Sequence, residues 1–353
     1  VSAGDAPQSL LVVQPSWVGD AVMATPTLRA LRSLYPASRI SYLFKKNIGP
    51  VFAGMPWADE LIPYGDEGTF ALSRSLRPKR FDAAVLLTNS FRTALLCRMA
   101  GVKRIVGYAR EGRSILLTDR LQPPRESDGS FTISPIIHYY LAIARYLGSD
   151  ATDLSMQLFV TPEEQREADE VLRRAGIDER RPRVVLNPGA QYGAAKCWLP
   201  EYFAETSDRL QSEFDAQVIV SSAPRERAIV DEIAKHAKRS FVDLATFKPS
   251  FGAVKAFIRT CDLMITNDTG PRHIAAAFGV PVVTAFGPTH PDWTQIYFAL
   301  ERQLAVKVEC GPCQLKKCPL DHRCMKLLKP DMVMRASREL LQIKSPRSLA
   351  GEG

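Results

Sequence analysis

No stretch of this chain approaches the roughly eighteen unbroken apolar residues that a membrane-spanning helix requires. The most suspicious run, residues 136–147, is interrupted by His138 and Arg145 and reads as a core helix. Residues 1–9 carry no basic-then-apolar signal pattern, so a cytoplasmic protein is expected. The sequence has no Gly-x-x-x-x-Gly-Lys-Ser/Thr loop and no Gly-x-Gly-x-x-Gly fingerprint, which sets aside those two ways of cradling a phosphate. It has no Asp-x-Asp pair, so a divalent metal clamped between carboxylates and a diphosphate is not encoded in its usual short form. Basic helix runs, RNP-like aromatic patterns and zinc-finger spacings are also lacking, and nucleic acid is not expected as a partner. Repeats of fixed period and low-complexity segments are missing too.

What is present divides in two. A chain of 353 residues is long for one core, and two domains of ordinary size are the natural division. Hydrophobic content of 46% and charge of 24% are those of a soluble globular protein. The net charge of +8 is uneven: residues 1–150 hold 18 Lys and Arg against 12 Asp and Glu, the remainder 28 against 26. The excess in the first half suits an anionic partner, or a basic solvated surface.

Apolar runs predict strands at 10–13, 39–44, 81–87 and 104–108, with helices at 21–34, 91–100 and 135–147. In the second half, strands at 184–186, 217–221, 241–244, 263–266 and 282–286 alternate with helices at 201–214, 225–236, 251–260 and 271–278. Such βα punctuation implies parallel sheets covered on both faces. The expected architecture is α/β of GT-B type, two doubly wound Rossmann-like domains facing a cleft. The domains are read as 8–150 and 183–345, with 151–182 as the linker.

Three strand-end segments carry the chemistry. Asn267-Asp268-Thr269-Gly270-Pro271-Arg272-His273 follows an apolar strand and opens a helix at Gly270 or Pro271. Proline suits a first helical position, and the N–H groups of that turn point outward beside the positive end of the helix dipole. A diphosphate fits there. Asp268 or Thr269 acting purely as a cap is the plainer alternative. His273 falls one turn in, its ring able to face the same group or to serve as packing. The second segment, 188–200, contains Gly189 and Gly193, which permit close backbone approach, and Lys196 as a mobile point charge. The third, Gln14 to Asp20, follows the first strand; Asp20 sits where a helix N-cap would, and a carboxylate there can also accept a proton from a hydroxyl. Arg92, Arg110 and Arg113 follow strand ends in the more basic half and are expected to face an anionic acceptor.

These segments, in this order, resemble the ADP-heptose lipopolysaccharide heptosyltransferases, glycosyltransferase family nine. The likeness runs from about Leu10 to about Val333 and rests on 17–20 (Trp-Val-Gly-Asp), 89–92, 107–110, 188–200, 268–273 and the cysteine-rich 310–324. It implies an inverting transfer of heptose from ADP-heptose to the lipopolysaccharide inner core at the inner membrane surface, with no cofactor required for catalysis. The first domain would hold the acceptor and the second the donor. Asp20 matches the general base, Lys196 the pyrophosphate-binding lysine, and Asp268, Thr269, Gly270 and His273 the donor turn. Relatives often show Gly followed by an acidic residue after the next strand; here the residues are Ser221-Ser222-Ala223-Pro224-Arg225-Glu226, leaving Glu226 to make the ribose contact. A relative that glycosylates a protein such as an autotransporter, and a non-catalytic nucleotide-binding protein of the same fold, are the rival readings.

Four of the seven cysteines, Cys310, Cys313, Cys318 and Cys324, fall within fifteen residues. Cys-x-x-Cys commonly supplies two ligands to one metal, which raises a structural zinc or iron site with His322 as a substitute ligand. The wider spacing of the second pair suits buried free thiols equally well.

Overall fold

The computed structural model describes residues 6–344. The chain divides into two compact units, one running to Phe159 and including Asp292–Tyr297, the other made of Val160–Pro291 and the chain from Phe298 onward.

The first unit is a six-stranded parallel sheet: β1 (Ser9–Val13), β2 (Arg39–Lys45), β3 (Glu60–Tyr64), β4 (Ala83–Leu86), β5 (Arg104–Tyr108) and β6 (Asp119–Leu121), in the order β3-β2-β1-β4-β5-β6. Its helices are α1 (Val18–Met23), α2 (Thr25–Leu34), α3 (Thr69–Leu76), α4 (Phe91–Met99) and α5 (Ile136–Tyr146). Every residue of β1 is buried, as a central strand with both faces covered demands. Leu11, Val13, Leu43, Leu86 and Ile105 from four strands share one core with Leu72, Leu76, Leu96 and Cys97. The single helix expected over 21–34 is broken at Ala24. Pro26 lacks the N–H a continuing helix would use, and α2 restarts around it with Thr25 Oγ1 donating back to Val22 O at 2.7 Å.

The second unit opens with α6 (Pro162–Arg174) and builds β7 (Arg183–Asn187), α7 (Pro200–Phe214), β8 (Gln217–Val220), α8 (Arg227–His236), β9 (Val242–Asp243), α9 (Phe251–Arg259), β10 (Leu263–Asn267), α10 (Gly270–Ala277), β11 (Val282–Phe286), β12 (Glu301–Ala305), α11 (Arg323–Lys326) and α12 (Pro330–Lys344). The sheet order is β12-β11-β10-β7-β8-β9, again all parallel. Counting strands within each unit, both sheets have the Rossmann order 3-2-1-4-5-6. Helix α6 falls in the stretch read as linker, yet it belongs to this unit. Thr161 and Glu164 form its capping box, Glu164 pairs with the fully buried Lys255 on α9 at 2.8 Å, and Gly252 gives α9 the room to approach. The expected domain end at 345 lies one residue beyond those described.

Candidate active site

Where β7 and β10 lie side by side the winding of the second sheet reverses, and open α/β sheets bind ligands beyond such a switch point. The loops leaving these two strands are the glycine loop and the Asp-Thr-Gly turn. Buried asparagines at the strand ends bolt them together. Asn187 Nδ2 donates to Thr266 Oγ1 and Thr269 Oγ1, each at 3.1 Å. Asn267 Nδ2 donates to Pro188 O at 2.7 Å, and its Oδ1 accepts from Trp198 N at 2.9 Å. Trp198 is fully buried, its Nε1 donating to Leu328 O at 2.7 Å, which anchors the far end of the loop.

Lys196 is not a mobile charge. Its Nζ lies 2.6 Å from Asp268 Oδ2 and 3.0 Å from Asp268 O. Asp268 is itself buried, and it also accepts from Thr289 Oγ1 at 3.0 Å and Arg272 Nη1 at 3.1 Å. Arg272, with no exposed surface, forks onto Glu301 with Nε–Oε1 at 2.6 Å and Nη2–Oε2 at 3.0 Å. Burial pushes the Asp268 carboxyl up, but the charges of Lys196 and Arg272 outweigh it and hold the group well below the usual carboxylate range. Asp268 therefore anchors Lys196 from within the turn. The α10 N-cap, Thr269, is extended and makes no side-chain cap. His273 is 3% exposed, and its Nδ1 has no hydrogen-bond partner among the described residues. Burial, reinforced by Arg272, pushes its pKa down to about 3, so the ring is neutral.

Glu226 closes over the glycine loop: a Cβ on Gly189 would sit 2.1 Å from its carboxylate, which accepts from Ala223 N at 2.9 Å. The cysteine-rich segment backs the same loop. Lys316 O accepts from Ala195 N at 3.1 Å, Tyr192 Oη donates to Gln314 O at 2.6 Å, and a Cβ on Gly193 would meet Lys316 O at 2.3 Å. His322 braces the loop as well, its Nε2 lying 2.8 Å from Ala195 O. Cys310 and Cys313 are exposed free thiols, Cys318 and Cys324 half-buried ones. Burial, and then the neighbouring Cys318, Cys310 and Cys313, push the Cys324 thiol up. Among the described residues no three His, Cys, Asp or Glu side chains are gathered so as to hold a metal ion.

In the first unit, a cavity of about 400 Å³ lies at the corresponding switch point, lined from the ends of β1, β2 and β4 by Trp17, Asp20, Lys45, Asn89, Ser90 and Arg92, among others. Asp20 is not the cap of α1. The cap position is Trp17, and Asp20 is the third helical residue, half-buried in the cavity wall near the buried Tyr140, whose hydroxyl burial and the Asp20 charge push far up. Arg92 is exposed at the rim and steadied by Thr69 Oγ1 at 3.1 Å and Glu67 O at 2.7 Å. Arg113 does not face an acceptor. It is fully buried, donating to Tyr108 O at 2.9 Å, to Thr88 O and to Asn89 Oδ1, and burial pushes its pKa down to about 10. The backbone carbonyls of the sheet ends consume a guanidinium that sequence position alone assigns to the surface. Arg110 is half-buried, 3.9 Å from the centroid of Phe131, and Arg125 lies 4.3 Å from the same ring. Trp17, Lys45, Arg125 and Thr289 are absent from the sequence-based site. Trp17 stands in the Trp-Val-Gly-Asp motif, whereas no motif marks Lys45, Arg125 or Thr289, and only their placement brings those three to notice.

The model of glycosyltransferase family 9 (heptosyltransferase) matches residues 69–323. Lipopolysaccharide heptosyltransferase 2 of Escherichia coli (strain K12) is 30% identical over 298 residues, covering 81% of this chain and 84% of that protein. The structure of E. coli ADP-heptose LPS heptosyltransferase II superposes with a TM-score of 0.79 at 26% identity, over 95% of this chain and 99% of that one. The crystal structure of the family 9 glycosyl transferase from Veillonella parvula DSM 2008 gives a TM-score of 0.82 at 21% identity, over 95% and 97%.

Proposed function

The chain belongs to glycosyltransferase family 9, the heptosyltransferases, and from that premise we propose that it carries heptose from ADP-heptose to the inner core of lipopolysaccharide, with inversion and without a divalent metal. The observation that carries this reading is Lys196, held by the buried Asp268–Arg272–Glu301 set beside the uncapped N-terminus of α10. That cation and helix end neutralise the diphosphate of the donor, and Glu226 lies beside the glycine loop to meet the ribose.

Asp20 takes the proton of the acceptor hydroxyl. The acceptor oxygen bonds to the anomeric carbon on the face opposite the diphosphate, the carbon–phosphate oxygen bond breaks, and ADP leaves with the electron pair. Lys196 and the helix end receive the charge that develops on the leaving oxygen, where such stabilisation acts only in the transition state. Arg110 and Arg125, with Arg92 at the rim, meet the anionic groups of the acceptor. An acceptor of this kind is a membrane glycolipid, so the enzyme works at the cytoplasmic surface of the inner membrane; among the described residues no helix is long and apolar enough to cross it.

Incubation with ADP-heptose and, separately, a heptose-deficient core glycolipid or a protein acceptor tests the reading. The expected product is a glycolipid of inverted anomeric configuration, formed equally well with chelator present. Modification of the protein acceptor alone would overturn the choice of acceptor, and loss of turnover in chelator would overturn metal independence.

A further inference from the structure

Of the four tryptophans, Trp57 and Trp198 are buried, Trp293 is half-buried, and Trp17 leaves 52% of its surface open. An indole so exposed is unusual for its size. Its contribution to the fold runs through the backbone, since Trp17 O accepts from Ala21 N at 2.9 Å to start α1, and any residue provides a carbonyl. The side chain instead forms part of the wall of the 400 Å³ cavity, three residues before Asp20. The other groups lining that space join the polar Lys45, Thr88, Asn89, Ser90 and Arg92 to the apolar Leu43, Leu72, Leu87 and Leu96. An aromatic face in a pocket lined by hydrogen-bonding groups suits a saturated sugar ring. The ring's C–H face lies on the indole, and its hydroxyls reach the polar lining.

We propose that Trp17 is the platform on which a pyranose ring of the acceptor glycan stacks, presenting its hydroxyl to Asp20. This rests on the acceptor reading above and adds the subsite. The short span between the two residues fixes the indole relative to the carboxylate. A ring lying on one is thereby set in register with the other, so Trp17 positions the acceptor and does not itself react.

The test uses the full chain and delipidated inner-core oligosaccharide as the probe. Titration should change the tryptophan emission of the wild type and leave that of Trp17→Phe unchanged. In turnover, Trp17→Ala should raise the acceptor KM about tenfold, as the loss of one aromatic stacking contact with its buried area implies. The KM for ADP-heptose and the thermal midpoint should stay put, and Trp17→Phe and Trp17→Tyr should restore most of the acceptor affinity. An emission change of equal size in Trp17→Phe, or an unaltered acceptor KM in Trp17→Ala, would overturn the proposal. So would an emission shift given by anionic lipid vesicles and not by the oligosaccharide, which would assign the indole to a membrane surface. Because binding is read without turnover, an oligosaccharide response with no heptose transfer would keep the platform and sink the transferase reading. Transfer with no response would do the reverse.

Discussion

Asp268→Asn removes one charge and almost no volume from a buried set of two cations and two carboxylates. The side chains of Lys196, Asp268, Arg272 and Glu301 are 12%, 3%, 0% and 3% exposed. In the variant Arg272 keeps its fork on Glu301, but Lys196 loses its carboxylate and is left with neutral oxygens of residue 268, the backbone carbonyl among them. Breaking a buried pair from one side costs about 3–5 kcal/mol, because the remaining charge stays desolvated and unopposed. At roughly 2–4 °C per kcal/mol for a domain of this size, the second unit should melt about 6–20 °C lower. ADP affinity should fall by no more than about threefold, because the diphosphate replaces the missing carboxylate beside Lys196. Lys196→Ala, by contrast, should cost about tenfold or more in ADP affinity, as removal of a hydrogen bond to a charged group does, with a smaller loss of stability. Denaturant unfolding and calorimetry with ADP measure both arms. Stability within about 1 kcal/mol of wild type, well below the buried-pair cost, would refute the view that the ion set sustains the turn. A loss of ADP affinity equal to that of Lys196→Ala would mean that Asp268 touches the donor itself.

Asp20→Asn should lower kcat by about 10²–10⁴-fold, the usual cost of a lost general base; the melting temperature should barely move, since the Trp17 backbone starts α1, and near-normal turnover in a folded variant would remove Asp20 from the chemistry. His273 is neutral in the fold, with its pKa pushed to about 3. On acidification the unfolded chain therefore binds the proton first, near its ordinary pKa of about 6.5, and stability present above that pH is lost as pH falls toward 3. The loss amounts to about 1.4 kcal/mol per pH unit, or about 2 kcal/mol between pH 6.5 and 5, before most carboxylates titrate. His273→Gln should flatten that stretch of the unfolding curve, and an unchanged slope would count against a buried neutral ring. Gly193→Ala sets a methyl 2.3 Å from the Lys316 carbonyl oxygen, a backbone atom, so the cysteine-rich segment must lift. Faster alkylation of Cys318 and Cys324 should report it, whereas Gly189→Ala meets the movable carboxylate of Glu226 and should leave thiol reactivity as it was.

The amino-acid sequence by itself determined that this is a two-part α/β chain with glycine-bearing loops after strand ends. The βα punctuation, the outward-facing turn at Gly270 and the glycines of the preceding loop are local properties, readable from spacing and backbone sterics. The central strands were equally legible, because burial on both faces makes them continuous apolar runs. The strands missed, β3, β6 and β12, are all edges. Edge strands are partly exposed, so their pattern is mixed, and one of them tolerates Pro63.

What only the tertiary structure decided is which charges are free. Lys196 and Asp268 are 72 residues apart, and Arg272 and Glu301 are 29 apart. No spacing rule pairs such residues; the adjacency of β7, β10, β11 and β12 in one sheet does. Arg113 looked like its neighbour Arg110 in sequence, yet one is buried against strand-end carbonyls and the other shares Phe131 with Arg125. Long side chains choose their partners after the backbone has brought distant loops together, and a buried cation must take whatever acceptors that packing provides.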